Sequence, residues 1–170
     1  MKRITIVLML VMIFVAGCNK NDILSEMSEN MEIDVSNGTI VNDTDSHGGF
    51  HGDGLRVAQI SFDDDTILEE IENSDHWSTM PLSENITALV YGIAYEEENS
   101  EKSVGPYLTD EEGKTVIPEI QNGYYYFYDR HPECKEPYED MDVLGRGSFN
   151  FILALYDTDN KVLYYVEFDT

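Results

Sequence analysis

The C-terminal part of this chain alternates apolar and polar residues with a period of two. One face of the first run carries Phe149, Phe151, Leu153 and Leu155, and the returning run carries Val162, Tyr164, Val166 and Phe168. Residues 157–161 lie between the two runs and have the composition of a turn. Successive side chains of a strand point to opposite faces, so this pattern predicts a β-hairpin.

Four further elements are indicated upstream. We expect a strand over residues 55–62, a helix over 66–73, a β-like run over 86–95 and an aromatic strand over 124–128. The aspartates at 63–65 would cap the helix, and the charged residues 96–101 would form a loop or an exposed strand end. These elements predict a single α+β domain, mainly an antiparallel sheet of about four or five strands with one short helix and a C-terminal hairpin.

The aromatic strand allows two interpretations. Its alternation places Tyr124, Tyr126 and Tyr128 on one face and Tyr125 and Phe127 on the other. Cross-strand packing of these rings inside a half-buried sheet is the favoured interpretation. An exposed ring surface that binds sugars or peptides is the alternative.

The first residues have the layout of an export signal. Lys2 and Arg3 precede an apolar run over 4–15, which ends in Val15-Ala16-Gly17-Cys18. A dozen apolar residues are too few for a bilayer, which takes roughly 20. The small residues before Cys18 resemble the lipobox of bacterial lipoproteins. This resemblance implies cleavage after Gly17 and a lipid, such as palmitate, on Cys18; an ordinary secretory signal is the alternative.

We therefore expect three parts: a signal peptide over 1–17, a lipidated cysteine with a flexible acidic tether over 18–46, and a globular domain over 47–170. A flexible segment of this length would reach roughly 30 Å. Ile23, Leu24, Met27 and Met31 form a weak apolar stripe in the tether. A short helix docked on the domain is the alternative for this stripe.

Charge excludes one class of partner. Without residues 1–17 the chain keeps 8 basic and 34 acidic residues, a formal charge of −26. Such a surface repels nucleic acid and anionic headgroups, so any membrane attachment has to come from the lipid. Multivalent cations, basic peptides or amine-bearing wall polymers could be attracted, although simple solubility explains the same composition.

Cysteine contributes little to the predicted chemistry. Cys18 and Cys134 are the two cysteines of the chain, and a lipidated Cys18 could not pair with Cys134. Only Lys135 and His131 are near Cys134 in sequence to stabilise a thiolate. We therefore expect no internal disulfide and no catalytic thiol.

A glycine-rich segment over 43–54 is the strongest candidate for a metal site. His47, His51 and Asp53 make an acceptable ligand set for zinc or iron if the loop brings them together. A looser calcium site could use Asp43, Asp45 and Asp53. The favoured alternative is a structural loop whose polar side chains bond the local backbone.

A second polar cluster follows the aromatic strand. Asp129, Arg130, His131 and Arg146 could hold an anionic ligand or substrate, although carboxylate pairing is the more ordinary role of both arginines. His76, beside Trp77, is expected to pack at the end of the helix.

Several separate segments resemble a group of small surface proteins and lipoproteins of Gram-positive bacteria. They are His47-Gly48-Gly49-Phe50-His51-Gly52-Asp53-Gly54, Pro81 to Asn85, Asn122 to His131, Ser148 to Phe151 and the terminal hairpin. The resemblance implies anchoring on the outer leaflet of the cell membrane and brings no activity with it.

Two functions are compatible with the sequence. The first is a non-enzymatic extracytoplasmic lipoprotein that binds a peptide, a wall component or another protein. The second is a metal-dependent, hydrolase-like enzyme with His47, His51 and Asp53 as ligands and Arg130 and His131 nearby. The enzyme requires the glycine-rich loop and the 129–131 corner to adjoin in space.

Overall fold

A computed structural model describes residues 20–48, 52–97 and 100–170 of the chain. The elements are α1 (Lys20–Met31), β1 (Thr39–Asp45), β2 (Gly54–Ser61), α2 (Thr66–Glu72), β3 (Trp77–Thr79), α3 (Glu84–Val90), β4 (Ile93–Glu97), β5 (Ser100–Val104), β6 (Gly123–Asp129), a 3-10 turn at Val143–Gly145, β7 (Asn150–Asp157) and β8 (Val162–Asp169). The predicted α+β class is confirmed.

The main sheet has six strands in the order β1-β2-β8-β7-β6-β3, and β4 pairs with β5 in a separate two-stranded sheet. All neighbouring strands are antiparallel. The described residues therefore contain more strands and two more α-helices than the sequence pattern indicated. The predicted terminal hairpin is confirmed, with Phe151 opposite Phe168.

Each face of the main sheet carries its own hydrophobic core. The face that we call the α1 face carries Ala58, Ile60, Tyr126, Ile152, Ala154, Tyr156, Leu163 and Tyr165 and packs on α1 and α2. The opposite α3 face carries Val57, Phe127, Phe151, Leu153, Leu155 and Val166 and packs on α3 and the 106–120 loop. A sheet covered on both sides explains why both faces of the aromatic strand are apolar.

The tether predicted for residues 18–46 is wrong over its described part. Residues 20–31 form α1, and residues 39–45 form an edge strand paired with β2. Leu24, Met27 and Met31 are at most 6% exposed. A stripe too weak to hold a helix alone is stabilised by burial against the sheet, as the docked-helix alternative required. The fold thus begins by Lys20 and not at residue 47.

The β-like run predicted over 86–95 is also wrong in its first half. Residues 84–90 form α3, and the Ser83 hydroxyl accepts the backbone N–H of Ile86 at 3.1 Å. Ile86, Leu89 and Val90 are fully buried at helical spacing. This N-cap and the packing of one helical face outweigh the strand preference of the β-branched residues.

The remaining elements follow the sequence pattern closely. The strand at 55–62, the helix at 66–73 and the aromatic strand correspond to β2, α2 and β6. The carboxylate that bonds the first turn of α2 is Asp64, which accepts from the Thr66 N–H at 3.0 Å. Residues 96 and 101 pair across the exposed β4–β5 hairpin. No helix among the described residues is long and apolar enough to cross a bilayer.

Candidate functional site

Charged side chains occupy one end of the α1 face, beyond its apolar core. Strand alternation continues from Ala58 to Arg56 and from Tyr165 to Glu167 and Asp169, so these groups share the face of the core. We call Asp43, Asp45, His47, Arg56, Arg130, Glu167 and Asp169 the charged cluster. It joins the glycine-rich segment, the last strand and the segment after β6.

Both arginines of the charged cluster are held by carboxylates. Arg130 donates to Asp169 at 2.9 Å and to Glu167 at 3.2 Å. Arg56 donates twice to Asp43 at 3.2 Å. Burial alone would lower the pKa of the Arg56 guanidinium, but its carboxylate partners raise that pKa overall. Arg130 and Arg56 therefore bind the protein's own carboxylates.

His47 lies between two carboxylates. Its Nδ1 is 2.6 Å from Asp45 Oδ1, and its Nε2 is 3.1 Å from Asp169 Oδ2. Each ring nitrogen thus already faces a carboxylate oxygen of the protein, so a metal ion could bind His47 only by displacing one of these contacts. Burial acts to raise the pKa of Asp45, but the hydrogen bonds from His47 and nearby positive charge lower it overall.

The glycine-rich segment and the predicted ligand corner do adjoin, because His47 and Arg130 share Asp169. Asp53 and His131 line a groove of about 360 Å³ to which Asp169 also contributes. His51 lies outside the described residues. Over residues 20–48, 52–97 and 100–170, no three His, Cys, Asp or Glu side chains converge as a metal site. The metal site therefore stays a prediction.

His131 has its ring orientation fixed by two neighbours. The backbone N–H of Glu133 donates to Nδ1 at 3.2 Å, so Nδ1 is an acceptor and Nε2 is the N–H of the ring. That Nε2 lies 3.2 Å from the Ser148 hydroxyl and donates to it. A donor cannot act as the base that activates the hydroxyl, so this pair is not arranged as a nucleophile and its base.

Asp129 and Arg146 meet on the other side of the sheet. Arg146 Nη2 lies 2.5 Å from Asp129 Oδ2, with the two side chains 10% and 2% exposed. Burial, followed by the hydrogen bond with Asp129, raises the pKa of the Cys134 thiol. Arg146 thus pairs with a carboxylate through Nη2, and the raised pKa of Cys134 disfavours its thiolate form.

A separate cleft opens at the other edge of the sheet. β3 pairs with only three residues of β6, and residues 138–141 line the cleft together with Ser78 and Tyr125 of these strands. The cleft holds about 210 Å³ and is lined by His76, Ser78, Ser83, Tyr125, Phe127, Tyr138, Glu139, Asp140 and Met141. We call it the aromatic cleft.

Glu32 fixes one wall of the aromatic cleft. Its carboxylate accepts from the Tyr138 hydroxyl at 2.5 Å and lies 3.1 Å from His76 Nδ1. The two rings stack with centroids 3.5 Å apart and planes 9° from parallel. The hydrogen bond with Glu32 is the main cause that raises the pKa of Tyr138 to about 12. Glu32 itself has φ of 58°, a backbone conformation rare outside glycine.

Asp140 fixes the opposite wall. Its carboxylate accepts a hydrogen bond from Ser83, the N-cap of α3, and its backbone carbonyl accepts from the Asn85 amide at 3.0 Å. The cleft therefore combines aromatic surface with a carboxylate and hydroxyl groups held at defined positions. The sequence pattern does not indicate this cleft because its residues come from separate segments, and the position of His76 beside Trp77 predicts packing at the end of the helix.

Comparison with known protein families, curated protein sequences and solved structures gives no match for this chain. The geometry of the charged cluster and the aromatic cleft therefore carries the functional argument.

Proposed function

We propose that this protein is a lipid-anchored extracytoplasmic binding module and that the aromatic cleft is its ligand site. The observation that carries the proposal is that the Glu32 carboxylate contacts both stacked rings, those of His76 and Tyr138. We call this arrangement the Glu32 clamp. Side chains that are already ordered lose little conformational entropy on binding, so such a wall suits recognition.

The size and lining of the cleft limit what it can take. Its volume of about 210 Å³ is below the range of ordinary small-molecule pockets, so it would hold one side chain or one sugar unit of a larger ligand. Aromatic rings beside a carboxylate and hydroxyls suit a polar group with an apolar face. A wall glycan or an extracellular peptide meets both requirements.

The anchoring half of the proposal is supported by the sequence before the fold. A basic start, a short apolar run and small residues before Cys18 have the lipobox layout. Cys18→Ser should leave an unlipidated protein, either uncleaved or released. Unchanged incorporation of labelled fatty acid in that variant would disprove the lipobox assignment.

The binding half is tested by titrating the full chain in detergent with N-acetylglucosamine and, separately, with a lysine-containing tripeptide. Amide chemical shifts should saturate for one probe, with the changes concentrated at Ser78 and residues 138–141. Tyr138→Ala should abolish them. The matched control is Tyr107→Ala, since Tyr107 is 39% exposed and does not line the cleft.

Saturable binding that survives Tyr138→Ala would move the ligand site away from the cleft. An absence of saturable shifts with both probes would count against the cleft as a site for sugars or lysine side chains.

A metal-dependent, hydrolase-like enzyme is the second candidate. One observation favours it: the glycine-rich segment and Arg130 meet at Asp169, as that hypothesis required. The carboxylates of Asp45 and Asp169, which already face both nitrogens of His47, oppose it.

A further inference from the structure

Helix α1 lies very close in sequence to the proposed anchor at Cys18. It begins at Lys20, with only Asn19 between it and Cys18. Met27 and Met31 are fully buried. The helix is therefore part of the domain, and the lipid would be attached to the fold itself.

The contacts of α1 show where its first residue lies. Glu32, just after the helix, bonds Tyr138 at the β6 edge, and Asn30 bonds Tyr165 of β8 at 2.7 Å. Glu26 is 3.5 Å from Arg56 of β2. The helix thus crosses the strands towards β1 as it is followed back to its start. Lys20 lies about 9 Å beyond Glu26 along the axis, from a rise of 1.5 Å per residue.

We infer that the domain stands on the bilayer with its β1 edge against the headgroups and the aromatic cleft facing away. This inference depends on the proposed lipid at Cys18. The occupant of the β1 edge is the lipid headgroup surface, because α1 begins near that edge, two residues after the anchored cysteine. Because at most about 7 Å of chain separates Cys18 from Lys20, the domain cannot turn freely about such an attachment.

The chemistry of the β1 edge suits a headgroup layer. Among the described residues β1 pairs only with β2, so its outer backbone groups are free to bond water and headgroups. Val41 is 63% exposed at an irregularity of the strand. Asp43 pairs with Arg56, which offsets one of the acidic charges of this strand.

The aromatic cleft lies on the far side of the sheet. From β1 to β6 and β3 there are four to five strand intervals, which at roughly 4.8 Å each place the cleft about 19–24 Å from the anchored edge. The ligand site would thus open towards the wall or the medium.

The test uses the lipidated full chain in vesicles that contain a nickel-chelating lipid. A nitroxide is attached at Val41→Cys or at Met141→Cys, each in a Cys134→Ala background. Met141 is 76% exposed on the rim of the cleft and serves as the matched far site. Nickel at the headgroups should relax the label at position 41 several-fold more strongly than the label at position 141.

The same two labelled proteins are also made with a flexible Gly/Ser insert between Asn19 and Lys20, and this insert should make their two relaxation rates similar. Equal rates without the insert, or a stronger effect at position 141, would overturn the orientation while the anchor stands. Failure of the protein to sediment with vesicles would instead overturn the proposed anchor, and the orientation with it.

Discussion

Asn30 of α1 donates a 2.7 Å hydrogen bond to the hydroxyl of Tyr165 in β8, 135 residues away in sequence. Burial is the main cause that raises the pKa of Tyr165, because it disfavours the phenolate. The same hydroxyl donates to Glu167 at 2.8 Å, so it serves as donor and acceptor at once. The first described helix and the last strand are thereby joined into one unit.

Truncation of α1 in the core should destabilise the whole fold. Met27→Ala removes a fully buried side chain, and we expect a loss of about 2–5 kcal/mol in the free energy of unfolding. Val41→Ala, at a 63% exposed position, is the control and should change stability by less than about 0.5 kcal/mol. Urea unfolding followed by circular dichroism measures both. Equal stability of the two variants would mean that α1 does not belong to the cooperative fold.

Removal of Arg146 should be costly. Arg146→Gln leaves the Asp129 carboxylate, 2% exposed, without its cationic partner, and breaking such a buried pair costs about 3–5 kcal/mol. The control is Lys161→Gln, which breaks a 2.8 Å pair with the 68% exposed Asp65 side chain and should cost at most about 1 kcal/mol. Denaturant titration of the two variants compares them. Similar unfolding midpoints would contradict the buried-pair interpretation.

The Glu32 clamp should be visible as a tyrosine titration. The pKa of Tyr138 is about 12 against an ordinary 10, because the neutral phenol donates to Glu32. The contribution of this group to stability is therefore full below pH 10 and is lost as the pH rises towards 12. Glu32→Gln should lower the pKa of Tyr138, as followed by NMR of ring-labelled tyrosine. Glu29→Gln, on an exposed part of α1, should not; a shift of the same size there would rule out a specific clamp.

Metal content separates the two functional candidates. Because carboxylates of the protein already face both nitrogens of His47, we expect elemental mass spectrometry of untagged protein to find no stoichiometric zinc, iron or manganese. The His47→Ala/His51→Ala double variant should then match the parent protein. Stoichiometric metal that this variant loses would instead support the enzyme.

The local sequence pattern was sufficient to predict elements whose conformation depends mainly on their own residues. The terminal hairpin has alternation on both strands and a polar turn, and β2 and α2 have clear boundaries. Residues 20–31 and 84–90 were misassigned because their conformation depends on a sheet formed mostly by later segments. Tertiary packing of Met27 and Leu89 overrides weak or contrary local preference.

The polar contacts were likewise only partly predictable from the sequence. Pairing of the arginines was the expected ordinary role, but the partners Glu167 and Asp169 follow only from the register of β8. The aromatic cleft could not be predicted from the sequence because Glu32, His76 and Tyr138 meet only after three separate segments have folded together.

The position of α1 also determines how the domain would bear load. If the lipid is the point of attachment, a force that pulls the domain from the membrane enters at Lys20 and acts first on the contacts of Leu24 and Met27 with the sheet. Since α1 crosses the strands, such a pull would peel it away one contact at a time. Mechanical detachment and unfolding of the domain would then follow the same route. A flexible spacer would separate these two processes.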